Sequence, residues 1–243
     1  MDRPALIVFD DDRPSDSPFI ERVWRSHSER GGPFIAVAST HWEFVVSRVQ
    51  GQVSVTLHGG ETRARPVQCP ADGEWFAVRF RPEAFMPQAP PRALLDGRDL
   101  FLPVGSRGRF LLDNRWWEIP SFDNAEVFVR RLAAGGLIAR DPGVERSLHG
   151  ADRPRSPRTA QRHLRDKLGM TRSLVRQIDR ARHATQLLRE GHPIADVVAQ
   201  AGYFDQAHLT HSLRRLIGLT PAMVAGGEQQ LSFLYKTAAA GTR

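Results

Sequence analysis

The stretch Ser156-Pro-Arg-Thr-Ala-Gln-Arg-His-Leu-Arg-Asp-Lys-Leu-Gly-Met-Thr171 slides onto Asp205-Gln-Ala-His-Leu-Thr-His-Ser-Leu-Arg-Arg-Leu-Ile-Gly-Leu-Thr220 with a constant shift of 49 residues. The superposition pairs Leu164 with Leu213, Arg165 with Arg214, Gly169 with Gly218 and Thr171 with Thr220. Self-similarity at a fixed offset is the mark of a duplicated supersecondary unit. Each copy reads as a helix, with Ser156 as N-cap ahead of Pro157 in the first and Asp205 as N-cap in the second. One stripe of each helix is apolar: Ala160, Leu164 and Leu168, then Leu209, Leu213, Leu216 and Ile217. The opposite side carries Arg158, Gln161, Arg162 and Arg165 and, in the same register, Ala207, Thr210, His211 and Arg214. A helix that reads DNA needs both sides, an apolar one to seat it and a polar one to reach base edges and phosphates.

Between the copies, Thr171 to Glu190 sets Leu174, Val175, Ile178, Ala181, Leu187 and Leu188 at helical spacing, and Gly191 ends the run. Such a helix is roughly 30 Å long, close to the roughly 34 Å between successive major-groove faces on one side of a duplex. Ile194 to Gln200, followed by Ala201, Gly202 and Tyr203, supplies a short helix and a glycine-containing turn into Asp205. The spacing therefore predicts two helix-turn-helix units on one long connecting helix.

The run from Gly191 to Pro221 resembles the signature of the AraC/XylS family of bacterial transcription regulators, and Ser156 to Gly169 resembles that family's first recognition helix. The likeness spans about residues 143–225. It implies a seven-helix domain in which contact with bases or phosphates falls on Arg158, Gln161, Arg162 and Arg165, then on Gln206, Ala207, Thr210 and His211. Two departures stand out. The first unit lacks a glycine at Arg153, the position matching Gly202, and His211 stands where the family commonly has arginine. An imidazole offers fewer donors than the planar fork of a guanidinium, so the second unit is expected to hold guanine less firmly.

Charge agrees with a polyanion partner. Residues 1–140 hold 18 Lys and Arg against 18 Asp and Glu, whereas residues 141–243 hold 16 against 9, so the whole net charge of +7 sits in the last hundred residues. The single cysteine, Cys69, permits neither a disulfide nor a cysteine zinc site within the chain, and it is expected to be a small buried residue. No run approaches the roughly 18 apolar residues of a membrane span, and the first residues lack a basic-then-apolar leader. The expectation is a cytoplasmic protein without membrane contact.

The N-terminal half follows a different period. Residues 1–33, rich in Pro, Ser, Asp and Arg, read as a loosely ordered lead-in, with Asp10 to Asp12 a solvated acidic run. From Phe34 to Arg81 apolar residues alternate with polar ones, as in Val53, Val55 and Leu57 and in Phe76, Val78 and Phe80. Gln50-Gly51 and Gly59-Gly60 mark reversals, giving four or five antiparallel strands that Pro82, Pro87, Pro90 and Pro91 bring to an end. Asp123 to Ala134 reads as a helix with Val127, Phe128, Leu132 and Ala133 on one side. The fold class expected is α+β, with an antiparallel β sensor-type domain at 34–140, a cupin-like barrel by resemblance, followed by an all-α domain at 141–243 with a C-terminal tail.

Trp42, Trp75, Arg79 and Trp116 are the candidate ligand-binding residues, an aromatic pocket with Arg79 facing a polar or anionic effector. The plain alternative is core packing for the aromatics and a carboxylate partner such as Glu43 for Arg79. His27, His41 and His58 are scattered, so neither a metal nor another cofactor is expected. The expected function is a sequence-specific transcription regulator, activator or repressor, gated by a small molecule or a partner. A ligand-independent regulator whose N-terminal half is structural or dimerising remains open. Double-stranded DNA is the expected partner, with RNA polymerase a further one, and both monomer and homodimer stay open. An enzyme fused to the DNA reader is not expected, because Cys69 lacks the flanking residues and companion cysteines that alkyl-acceptor chemistry requires.

Overall fold

The computed structural model describes residues 6–149 and 157–227. In chain order it runs β1 (Val8–Pro14), β2 (Ile20–His27), β3 (Gly32–Ala36), β4 (Glu43–Val49), β5 (Gln52–His58), β6 (Arg65–Cys69), β7 (Gly73–Phe80) and β8 (Ala84–Phe85). A 3-10 turn at Pro91–Ala93 precedes β9 (Leu100–Leu102), β10 (Val104–Gly105), β11 (Arg109–Leu112) and β12 (Arg115–Glu118). Helix α1 (Ala125–Ala134) and β13 (Ala139–Arg140) complete the first domain. The second comprises α2 (Pro142–His149), α3 (Pro157–Leu168), α4 (Arg172–Arg189), α5 (Ile194–Gln200), α6 (Gln206–Leu216) and α7 (Pro221–Gly226).

Six strands form one antiparallel sheet in the order β1-β2-β7-β4-β5-β9, with smaller sheets β10-β11-β12, β13-β8 and β3-β6 beside it. The sheets do not close on themselves, so the β domain is an open arrangement. Gln50 and Gly51 take φ of 50° and 77°, the left-handed pair that suits a two-residue hairpin, and they join β4 to β5. Period-two alternation then sorts the side chains. Phe44, Val55, Leu57, Val78 and Phe80 bury themselves on one face under α1, whose buried stripe is Ala125, Phe128, Val129 and Leu132. Val127, expected in that stripe, is exposed instead. Glu43, Val45, Thr56, Trp75, Ala77 and Arg79 occupy the other face, which is also covered, so several of these polar positions are buried too.

Two expectations need correction. Residues 1–33 are no loose lead-in where described, because β1 and β2 are long strands of the main sheet and β3 begins at Gly32. Their polar composition reflects cross-strand charge pairing: Asp12 binds Arg22 Nε at 2.8 Å, Asp11 binds Arg25, and Asp10 meets His27 Nδ1 at 2.8 Å. Nor do the prolines after Arg81 end the sheet for good, since β9 returns to pair with β5.

Arg13 on β1 ties the sheet edge to α1, with Nη1 2.5 Å from Glu126 Oε1 and Nη2 3.0 Å from Oε2. Hydrogen bonding from Arg13, helped by Ser15, holds the Glu126 carboxyl down to about 2. A depressed carboxylate contributes stability above its ordinary value of 4.5 and loses it as pH falls towards 2. Glu126→Gln is expected to cost about 1 kcal/mol at neutral pH for this half-exposed pair. Urea melts should show that difference shrinking near pH 2; a difference independent of pH would contradict the pairing.

Candidate nucleic-acid interface

The four identities of the 49-residue repeat have distinct structural duties. Leu164 and Leu213 are buried in one core with Val175, Ile178, Ala181 and Leu188 of α4. Gly169 and Gly218 follow the ends of α3 and α6 at φ of 73° and 85°, left-handed values that favour glycine. Thr171 and Thr220 cap the helices that come next, accepting from Leu174 N at 3.2 Å and Met223 N at 3.3 Å. Asp205 caps α6 by accepting from His208 N at 2.7 Å. The matching cap at Ser156 lies outside the described residues.

Core and cap fix which faces remain outward. Gln161, Arg162 and Arg165 are exposed along α3, and Gln206, Ala207, His211 and Arg214 along α6. Thr210 is half-buried, its hydroxyl donating to Gln206 O at 2.8 Å. Of Arg158 the structure describes only the helical backbone. Of the outward rows expected on α3 and α6, Gln161, Arg162, Arg165, Gln206, Ala207, His211 and Arg214 are thus exposed.

Two features lie outside those rows. Arg172, Arg176 and Arg180 stand four residues apart on α4 and, with Gln161, Ser173 and Gln177, line a cleft of about 590 Å³ that has no acidic side chain among the described residues. Arg180 continues from the cleft to the second unit, donating to Gly202 O at 3.1 Å and lying 5.0 Å from the Tyr203 ring centroid. Those arginines belong to the basic run of the sequence between residues 153 and 182, and their four-residue spacing puts them on one face of α4. The other feature is Phe204, 90% exposed immediately before the cap of α6, a position that no apolar periodicity marks.

Residues 154–225 match the model of the family described as Helix-turn-helix domain. This segment is an AraC-type helix-turn-helix domain. The chain that carries it is a DNA-binding transcription regulator. No curated protein and no solved structure matches the chain. Among the described residues no helix is long and apolar enough to cross a membrane.

The AraC-type domain is docked on the β domain, and both repeat glycines lie at the contact. A Cβ built on Gly169 would meet Leu95 Cδ1 at 2.5 Å and Arg92 Cα at 2.7 Å, and one on Gly218 would meet Ile35 Cγ2 at 3.0 Å and Ala64 Cβ at 3.2 Å. Ala38 N donates to Leu216 O at 2.8 Å and Ala64 N to Arg215 O at 2.9 Å, so the last carbonyls of α6 find partners in the β domain. Val37 and Ala38 belong to the helical core itself. Around α3, Arg92 faces Asp166 at 3.7 Å and Lys167 lies over the Phe85 ring at 4.1 Å. On α4, burial and then the Arg79 guanidinium hold Arg182 down to about 10, opposed by Glu21, Asp179 and Glu43.

The four candidate ligand residues do not converge. Trp42 is buried, stacked on Phe80 at 3.8 Å between centroids, and donates to Ala84 O at 2.7 Å, which makes it core. Trp116 is half-exposed on β12, away from the others. Trp75 and Arg79 do share a cavity, of about 410 Å³, between the six-stranded sheet and the β3-β6 ribbon. Arg79 Nε is 2.7 Å from Glu43 Oε1, so the carboxylate pairing weighed from the sequence is the one present.

Proposed function

We propose that the protein reads two adjacent major-groove segments of one duplex, with α3 entering one and α6 the next, and that the cavity of the β domain gates this binding. The exposed rows of α3 and α6 on a shared core support the first part. Arg158, Gln161, Arg162 and Arg165 would serve the first half-site, and Gln206, Ala207, Thr210, His211 and Arg214 the second. The α4 cleft would hold a phosphate through Arg172 and Arg176, which positions the protein without selecting sequence. Phe204 would add an apolar contact, of the kind a thymine methyl offers, at the leading end of α6. No catalysis belongs to this reading.

The observation that carries gating is the docking itself. The pair Arg79–Glu43 lines the cavity and also belongs to the surroundings of Arg182 on α4. A ligand that alters this wall acts on the support of the DNA-binding domain, and the two sheets around the cavity would serve as an open variant of a cupin-like sensor. Compounds that raise the melting temperature of the full chain identify ligands. Fluorescence anisotropy on a duplex selected by the protein should then show a changed DNA affinity when such a compound is bound. An unchanged affinity with the compound bound would leave a regulator without gating.

The second half-site offers its own test. His211→Arg restores a bidentate fork at the position matching Arg162 and is expected to tighten binding by about 1–3 kcal/mol on a duplex with guanine at the facing position. Competition among duplexes differing at each position checks it, and no gain on any of them would place His211 away from the bases.

A further inference from the structure

The gating reading leaves the chemistry of the ligand open, and the cavity wall narrows it. One part of the lining is aromatic: Phe9 and Trp24, tilted at 5.4 Å between ring centroids, with Phe34 and Trp75. Its volume, about 410 Å³, suits a molecule of one ring and a short chain. The other part is charged. Arg79 is engaged by Glu43, and His58 Nδ1 lies 3.5 Å from Asp99 Oδ2. Arg65 Nε takes only Oε1 of Glu61, at 2.7 Å, leaving the shielded Oε2 without a hydrogen bond among the described residues. An unpaired buried carboxylate oxygen is costly.

Burial pushes the Glu61 carboxyl up, and the charges of Asp96 and Asp99 push it the same way against Arg65. This end of the cavity therefore holds more negative charge than its arginine offsets. A carboxylate or phosphate ligand would lie against Glu61 and Asp99, beside arginines that already face the carboxylates of Glu61 and Glu43, whereas a cation would relieve Glu61 and Asp99. Aromatic walls also favour a cation over an anion, because ring faces are electron-rich.

We propose that this cavity binds a small organic cation, a primary amine or amidine on an aromatic or apolar body, with the charged group on Glu61 and Asp99 and the body among Trp24, Phe34 and Trp75. A turn of the Glu61 carboxyl about its terminal torsion, which is broad, presents Oε2 to the ligand. The same residue sits on the support of α6. Glu61 exchanges backbone hydrogen bonds with Ser39 at 2.8 and 2.9 Å, and the neighbouring Ala38 and Ala64 hold Leu216 O and Arg215 O. Occupancy at Glu61 thus bears on the two segments that fasten the second reading helix.

The test uses the full chain and matched probes: phenethylamine and benzamidine as cations, phenylacetate and benzoate as anions, and phenethyl alcohol as neutral control. Thermal melts should rise with either cation and not with the anions or the alcohol. Glu61→Gln should weaken the cations roughly tenfold or more, as loss of a charged hydrogen-bond partner does, while its melt without ligand still shows a cooperative fold. If that variant does not fold, Asp99→Asn serves in its place with the same expectation. Stabilisation by the anions or the alcohol instead would overturn the cation assignment and leave gating standing. Cation binding unaffected by both substitutions would overturn the site, and no response to any probe would overturn this assignment, while the compound screen for gating decides the ligand reading separately.

Discussion

Replacing Arg162 by alanine is expected to cost about 1–3 kcal/mol on the preferred duplex and little on unrelated DNA, because a bidentate arginine contact discriminates between bases. Arg162 is exposed on α3, in the row opposite the buried Leu164 and Leu168, with the β domain contacting the helix elsewhere, at Asp166 and Lys167. Arg176→Ala supplies the comparison. Its side chain lines the α4 cleft beside Arg172 and Arg180, and its loss should weaken all duplexes about equally. Anisotropy titrations of both variants against preferred and scrambled duplexes separate the roles. Equal losses from both substitutions would make Arg162 a phosphate contact and move base reading elsewhere.

Gly169→Ala is expected to destabilise the protein by about 2–4 kcal/mol, combining two penalties. The left-handed φ of 73° is unfavourable for alanine, by about 1 kcal/mol. The added Cβ would also lie 2.7 Å from Arg92 Cα and 2.5 Å from Leu95 Cδ1, and overpacking of that kind costs about 1–3 kcal/mol. Gly191 isolates the second penalty. Its φ is 87°, yet a Cβ there meets nothing within 4 Å, so Gly191→Ala should show the backbone cost alone. Denaturant melts of the two variants measure the difference, which reports the packing of α3 on the β domain. Equal losses would mean that this contact is not maintained in solution.

The helical half was legible because its periodicities and stops are local. Thr171 to Glu190 was expected as a helix with Gly191 ending it, and α4 runs Arg172–Arg189 with Thr171 as its cap. The Asp205 cap and the stripe Leu209, Leu213 and Leu216 follow in the same way. In the β half, the hairpin at Gln50-Gly51 and the alternation in β7 could be read, while β1 and β2 could not. Their acidic and basic residues pair across strands, an arrangement that looks like solvated charge until the partner strand is known. The candidate pocket was legible only in part, for a related reason. Period-two alternation puts Trp75 and Arg79 on one face, but whether that face meets solvent, a core or a cavity depends on β3 and β6, which pair with each other rather than with the main sheet. The docking of the two domains rests on backbone groups such as Ala38 N and Ala64 N, whose long-range partners leave no mark in residue type.

Hydroxyl-radical footprinting of the full chain, on a duplex it selects from a random pool, tests the two-unit reading most directly. Two protected patches are expected on one face of the helix, about one turn or 10–10.5 base pairs apart, as adjacent major-groove contacts require. With Arg162→Ala the patch assigned to α3 should fade first. Protection of a single patch, or of two separated by half a turn, would contradict simultaneous reading by α3 and α6.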